Sequence, residues 1–362
     1  FPPRPLAGAT LTIDLGALAE NYRRLAGWFT GRHVGAAVKA NAYGIGIEYA
    51  APALYGAGCR CYFVATLDEG LQLREILAAD AEIYILCGQM VGQAEVFARH
   101  DLRPVLNDLA QIADWSAHGR AKEQIGKGAL HFDTGMARLG LPDYEVNKLV
   151  EDPSLLEGIE PTLVMSHLAC GDEPDNPINV EQLEKFRHLK SLFPEIEGSF
   201  ANGAGIILGP DYHFDVARAG LALYGGNPVT DRPNPMTEVV YLKAKIVQVR
   251  EIDSPQAVGY GATHRASGPT RIATVPVGYA DGYPRSLGNR GFAVVDGTRV
   301  PVVGRVSMDL ITLDVTAVAP EKAAPGCDVE LLGGAVPSAE LAAAADTVDY
   351  DLFTRLGRRY NR

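Results

Sequence analysis

From about residue 9 to residue 225, short apolar runs alternate with longer amphipathic ones, and this alternation limits the possible fold more than any other feature. The short runs are HVGAAVKA, CYFVAT, EIYILC, LRPVL, GALHFDT, PTLVMSHLA, GSFANG and DVARAG. Between them, stretches such as EYAAPALYGAG, LDEGLQLREILAA, VGQAEVFARH and NVEQLEKFRHLKSLF repeat apolar residues at spacings of three and four, as an amphipathic helix does. Strand and helix in strict alternation give a parallel sheet, and eight such units suggest closure into a (β/α)8 barrel. An open doubly wound sheet is the structural rival.

Beyond LALYGGNPVTDRPNP the helical period stops. The later segments, among them VVYLKAKIVQVREI, TRIATVPVGYADGY and GFAVVDGTRVPVVGRVSMDLITLDV, read as short antiparallel strands joined by turns. At 362 residues the chain is long enough for two cores. The expected division is a barrel over residues 9–230 and a smaller, mostly antiparallel β-domain over 231–362, with the proline-rich segment 227–235 between them. The first strand of the barrel segment is free to pair with the β-domain.

Composition removes several function classes. A formal net charge of -11 argues against nucleic acid as the main partner, because phosphate binding needs a basic face. No apolar run approaches the ~20 residues of a membrane span. The start, FPPRPLAGATLTIDL, lacks a basic-then-apolar secretory pattern, so a cytoplasmic protein is expected. The five cysteines, at 59, 61, 87, 170 and 327, are an odd set that reads as reduced, buried thiols, and the Cys59/Cys61 pair has no second pair nearby to complete a zinc site. No metal is expected. GIGIEY and GKGALH lack the third glycine of a dinucleotide fingerprint, GKG lacks P-loop spacing, and His-Glu-x-x-His is absent.

Chemistry-bearing residues fall at the ends of the strand runs: Lys39 ends the first, Asp133 and then Arg138 follow the fifth, His167 ends the sixth, Asn202 the seventh and Arg218 the eighth. The C-terminal strand ends of such a barrel line its active site. Any one of these side chains could be structural. Six on one rim, with an amine among them followed by Asn41, Tyr43, Gly44 and Gly46, suit a Schiff-base site.

AVKANAYG, DTGMARLG, SHLACGDE, VARAGLALYG, VGYG, VGYADGYPR and GRVSMD follow one another in that order, with VDYD near the C-terminus. This ordered set resembles the alanine racemase family, whose members use pyridoxal 5'-phosphate in a barrel followed by a β-domain. The resemblance runs from TIDLGAL to DLFTRLG. It implies that Lys39 bonds the cofactor and that Tyr260 is a second base, donated with Met308 and Asp309 by the partner in a homodimer with shared active sites. Two bases fit the chemistry, since racemisation takes a proton from one face of the substrate carbon and returns one to the other. A phenol of pKa near ~10 is ionised about one part in a thousand at pH 7, so Tyr260 needs roughly 4 kcal/mol of help. The resemblance implies His167 against Tyr260, and Arg218 behind His167 and on the pyridine nitrogen. It places the phosphate on Tyr43, Tyr350, Gly220 and Leu221, beside Asn202 and Gly203. The substrate carboxylate falls to Arg138 and Met308, while Asp309, Tyr279, Arg305 and Asp172 line the entrance. The implied activity is interconversion of L- and D-alanine, supplying D-alanine for peptidoglycan.

Two positions depart from the family pattern. Many members carry a lysine two residues before the Asp of DTGM, and its carbamate holds the catalytic arginine. Here that residue is His131, and either His131 or a bound anion such as chloride is expected to hold Arg138. A phosphate-binding serine is replaced by Gly203, which offers an amide alone. Racemisation of serine or of a broader range of amino acids remains an alternative, as does a non-catalytic protein that binds the same cofactor. The latter resembles a single-barrel family without a β-domain, so Tyr260 and GRVSMD weigh against it. A fold-related decarboxylase would need a cysteine-centred motif that APGCDVELLG does not supply.

Overall fold

The computed structural model describes residues 8–123, 125–230 and 232–362. Residues 1–7, at the start judged for a secretory pattern, and Asp231, at the expected boundary, lie outside the described residues.

The chain opens with β1 (Ala9–Ile13) and then builds eight parallel strands. They are β2 (His33–Ala37), β3 (Cys61–Val64), β4 (Glu82–Ile85), β5 (Leu102–Leu106), β6 (Gly126–His131), β7 (Ile159–Met165), β8 (Glu197–Ser199) and β9 (Val216–Ala219). Each falls within or across one of the eight apolar runs. The sheet order is β8-β7-β6-β5-β4-β3-β2-β9, so β2 pairs with the last strand, Val34 opposite Ala217. The seam between β8 and β9 closes through Arg218 N–H to Ala201 O and Asp215 N–H to Gly198 O, both 2.9 Å, and a bridge between Asn202 and Arg218. The result is a barrel, and the open-sheet alternative is set aside.

Alternation along each strand explains the apolar runs. Phe63, Tyr84, Val105, Leu163 and Met165 fill the interior, while Tyr62, Val64, Ile83 and Leu106 face the surrounding helices. Both faces are buried, so the strands read as continuous rather than alternating hydrophobicity. Local signals fix the helix starts: Asp14 caps Leu15–Trp28 through the Ala17 amide at 2.8 Å, and Asp108 caps Leu109–Lys122 through Gln111 at 2.7 Å.

The later chain forms β10 (Val240–Lys245), β11 (Gln248–Ile252), β12 (Ala257–Val258), β13 (His264–Arg265), β14 (Thr270–Val275), β15 (Phe292–Val295), β16 (Thr298–Pro301), β17 (Ile311–Asp314) and β18 (Asp328–Leu332). They make antiparallel sheets ordered β1-β10-β18-β15-β16, β11-β14-β17 and β12-β13. β1 therefore leaves the barrel and pairs with β10, Leu11 opposite Leu242. Helix Asp349–Arg355 returns to the barrel: a Cβ on Gly44 would lie 2.1 Å from the Phe353 carbonyl oxygen. That approach, with φ +85° at Gly44, demands glycine.

Among the described residues, no helix is long and apolar enough to cross a membrane, and no group of His, Cys, Asp or Glu is placed to hold a metal ion. All five cysteines are free. Cys59 and Cys61 are buried as expected, but Cys87 is exposed and Cys170 and Cys327 are half-buried. Cys87 lies beyond the end of β4, where the chain has already left the barrel wall.

Candidate active site

Lys39 follows β2 at the C-terminal rim, and the backbone after it is unusual. Ala40, Asn41, Ala42 and Tyr43 all have φ between 53° and 56°, a left-handed turn without glycine. Such a conformation costs roughly 1–2 kcal/mol per residue, less for asparagine. Contacts hold it: Ala42 N–H donates to Val38 O at 2.8 Å, Gly44 N–H to Ala40 O at 2.9 Å, and Ile47 N–H to the Asn41 side-chain oxygen at 2.9 Å. The Ala40 N–H donates to Glu69 Oε1 at 2.6 Å. Burial, followed by the Arg138 cation, pushes the Lys39 amine below its usual range, while Cys87 and Glu69 act in the opposite sense.

The turn delivers Tyr43 to the barrel mouth. Its ring stacks on Tyr224, centroids 4.6 Å apart, and the Tyr224 hydroxyl donates to Ala37 O at 2.9 Å. Burial first, and then nearby Tyr350, push the Tyr43 phenol up to about 12. The Tyr43 hydroxyl sits so close to Gly220 that a Cβ there would lie 2.5 Å from it. At Gly203 a Cβ would meet that of Ala222 at 3.2 Å. Asn202 caps Gly203–Leu208 by accepting the Gly205 amide at 2.9 Å. The amides of Gly203, Gly220 and Leu221 find no protein acceptor among the described residues.

Arg218, on β9, is buried and fully engaged on one side. Its terminal nitrogens donate to Ser199 O at 2.9 Å, Ser199 Oγ at 2.6 Å, Ser166 O at 2.6 Å and His167 Nδ1 at 3.0 Å. Nε has no acceptor among the described residues. Burial draws the guanidinium down to about 10, which leaves it cationic at neutral pH. Because a guanidinium only donates, His167 Nδ1 must accept, and the imidazole proton sits on Nε2. Burial, then Arg218, Arg138 and Lys39, hold His167 far below the usual histidine range, so it is neutral. Gln182 fixes the same loop, donating to His167 O at 3.0 Å and Thr134 Oγ1 at 3.1 Å while accepting the Ala169 amide at 2.8 Å.

Arg138 is exposed on a loop held by Asp133, whose Oδ1 accepts the amides of Gly135, Met136 and Ala137 at 2.9, 3.0 and 3.1 Å. No hydrogen bond joins His131 to Arg138 among the described residues. Instead His131 Nδ1 pairs with Asn107 Oδ1 at 2.7 Å. The Asn107 amide nitrogen already donates to Leu86 O and Val105 O, so its oxygen accepts and Nδ1 carries the proton. Burial and the Arg218 cation lower His131 to about 4. A neutral Nε2 lone pair remains.

Tyr260, Tyr279, Arg305, Met308, Asp309 and Leu310 line a separate open groove of about 590 Å³ on the β-domain. Tyr260 is 73% exposed and Met308 54%. No hydrogen bond or ring contact joins these groove residues to Lys39 within the chain among the described residues. Arg359, which sequence reasoning missed, braces the groove. It donates from Nε and one terminal nitrogen to buried Asp281, at 2.6 and 2.9 Å, and from the other to Asp309 at 2.7 Å. Ala280 N–H to Met308 O, 3.0 Å, ties the two loops. Ser166, Ser199, Asn107 and Gln182 were missed as well. They hold Arg218, His167 and His131 through contacts that no local pattern marks.

The comparisons agree over nearly the whole chain. Residues 13–228 match the model described as alanine racemase, N-terminal domain, and 239–362 that of the C-terminal domain. An alanine racemase of Rhodospirillum rubrum is 50% identical, covering 98% of this chain and 96% of its own length. One of Agrobacterium fabrum, described as catabolic, is 47% identical over 98% and 92%. The alanine racemase of Bartonella henselae, solved with covalently bound pyridoxal phosphate, superposes with a TM-score of 0.95 at 39% identity over 98% of this chain and 99% of that one. The chain belongs to the alanine racemase family.

Proposed function

We propose that the chain interconverts L- and D-alanine with pyridoxal 5'-phosphate, in a homodimer whose sites each join the barrel of one protomer to the β-domain of the other. The observation that carries this reading is the meeting of Lys39, His167, Arg218 and the Tyr43–Gly220 cradle at one barrel mouth. The Rhodospirillum and Bartonella relatives support the choice of substrate and cofactor.

The residues present fit that cofactor. The Tyr43 hydroxyl, the three acceptor-free amides of Gly203, Gly220 and Leu221, and Tyr350 beside Tyr43 supply donors for a phosphate, with Asn202 ordering the Gly203 turn. The unpartnered Nε of Arg218 is a donor for a ring nitrogen. The absence of a side chain at Gly220 leaves the space. When bound, the cofactor draws electrons from the substrate carbon and so loosens its proton. Lys39 holds the cofactor and exchanges that proton at Nζ on one face. Tyr260 of the partner subunit exchanges it at Oη on the other. His167 is neutral with its proton on Nε2, so it donates a hydrogen bond that favours phenolate at Tyr260 and relays the positive field of Arg218. Arg138 and Met308 orient the substrate carboxylate, and Tyr279 and Asp309 narrow the entrance. The exposure of Tyr260 and Met308 in the isolated chain supports their use by a second copy. The same reading divides the chain into a cofactor-binding barrel over 9–230 and a β-domain over 231–362.

The test is borohydride reduction after adding pyridoxal 5'-phosphate, followed by peptide mapping and by loss of optical rotation of L-alanine. Label on a residue other than Lys39, or no racemisation of alanine while serine reacts, would refute the reading. Supply of D-alanine to peptidoglycan is checked by rescue of a D-alanine auxotroph. The Agrobacterium relative favours a second role, in alanine breakdown, for which no rescue at native expression is the expected result.

A further inference from the structure

Glu69 has no chemical role in the reading above, yet its carboxylate touches the peptide next to Lys39. Oε1 accepts the Ala40 amide at 2.6 Å, while Oε2 accepts the amides of Ala65 at 2.8 Å and Thr66 at 3.3 Å. Glu69 lies in the first turn of helix Leu67–Ile76, which follows β3. A glutamate there, three residues after Thr66, caps its helix and needs only the nearby amides. The bond to Ala40 is different, because it spans 29 residues and joins two neighbouring βα loops. Ala40 is also the first residue of the left-handed turn, and an L-residue leaves that conformation unless something outside the turn holds it. The titratable and charged groups acting on the Lys39 amine are Arg138 and Arg218, with Cys87 and Glu69 opposed, and neutral His167 lies beside them. Glu69 thus sets a carboxylate in a rim otherwise dominated by guanidinium groups.

We propose that Glu69 is a positioning residue for Lys39: it ties the Lys39–Ala40 peptide to the end of β3 and so aims the amine into the barrel mouth. The assignment rests on Lys39 being the residue that bonds the cofactor aldehyde.

Reaction of the cofactor-free protein with pyridoxal 5'-phosphate tests it without reference to turnover. Borohydride traps the Lys39 product, and mass spectrometry follows its rate against pH. Glu69→Gln keeps the length but removes the charge and one acceptor, and loss of a charged hydrogen bond corresponds to a plateau rate lower by roughly ten- to a hundredfold. The pH midpoint moves downward, because a charge that favoured the protonated amine is gone. Glu69→Asp keeps the charge but withdraws it, so its plateau falls while its midpoint stays near that of the parent. Leu73→Ala, a buried change in the same helix that does not reach Ala40, controls for loss of helix stability and leaves both readouts unchanged. A parental plateau in Glu69→Gln and Glu69→Asp, or an equal loss in Leu73→Ala, overturns the assignment alone. Failure of the parent protein to label at Lys39 overturns the functional reading and the assignment with it.

Discussion

Substituting Gly220 by alanine tests the cradle with a single methyl group. The new Cβ falls 2.5 Å from the Tyr43 hydroxyl, 3.4 Å from its Cζ and 3.8 Å from the Ala37 Cβ. Ordinary contact begins near 3.4 Å, so the hydroxyl must retreat by about 0.9 Å, the difference between 3.4 and 2.5. It has little room, because the ring is stacked at 4.6 Å on Tyr224, itself anchored to Ala37 O. Overpacking of this kind costs about 1–3 kcal/mol of stability. On the proposed reading, displacing the hydroxyl also removes a charge-assisted bond to the phosphate, about 1.5–3 kcal/mol, or a roughly ten- to 150-fold weaker affinity for pyridoxal 5'-phosphate. Urea denaturation of the cofactor-free protein gives the first quantity, and cofactor titration by absorbance gives the second. Tyr43→Phe removes the atom the methyl strikes, so in that background Gly220→Ala should be nearly free, a coupling of about 1 kcal/mol or more. Strict additivity of the two changes, or full cofactor affinity in Gly220→Ala, would show that the hydroxyl and the glycine do not form one cradle. Gly203→Ala, whose Cβ meets another methyl at 3.2 Å, is the milder control.

The depressed pKa of His131 makes stability depend on pH. Unfolded, the imidazole takes up a proton below about 6.5, whereas folded it stays neutral down to about 4, so stability is full above 6.5 and falls as pH drops through that window. At ~1.4 kcal/mol per unit the loss is on the order of 3 kcal/mol, and urea midpoints of His131→Gln should fall less steeply between pH 7 and 5. Arg359→Met leaves buried Asp281 with the Gly278 amide as its remaining partner among those bonds. Discounted for the half-exposed arginine, this should cost about 2–3 kcal/mol and raise KM for alanine more than it lowers kcat, with Arg359→Lys recovering part of both. Unchanged stability and KM would leave the brace without a role. Dilution below the dimer dissociation constant should abolish racemisation while cofactor stays on Lys39, and fully active monomers would contradict the shared site.

The barrel was readable because each strand is buried on both faces and each helix on one, which imprints two different periods on the chain. Strand-end placement of Lys39, His167, Asn202 and Arg218 followed from that pattern. The supports were not readable. Ser199 and Ser166 act on Arg218 from 19 and 52 residues away, and Arg359 reaches Asp281 over 78 residues, so no local spacing encodes either. Glu69 was visible as a helix cap, and its second contact depends on how two loops lie in space. His131 shows a different limit. Its departure from the family pattern was evident, but its partner, Asn107, could be found only from the register of β5 against β6.

The four residues after Lys39 adopt the backbone hand that mirror-image amino acids prefer. At the solvent-exposed Ala40, a D-alanine placed by chemical ligation should therefore be accommodated with relief of strain, whereas in any ordinary helix of the barrel it would break the turn. Chirality of one backbone position, rather than side-chain identity, becomes the variable that sets how firmly this loop is wound.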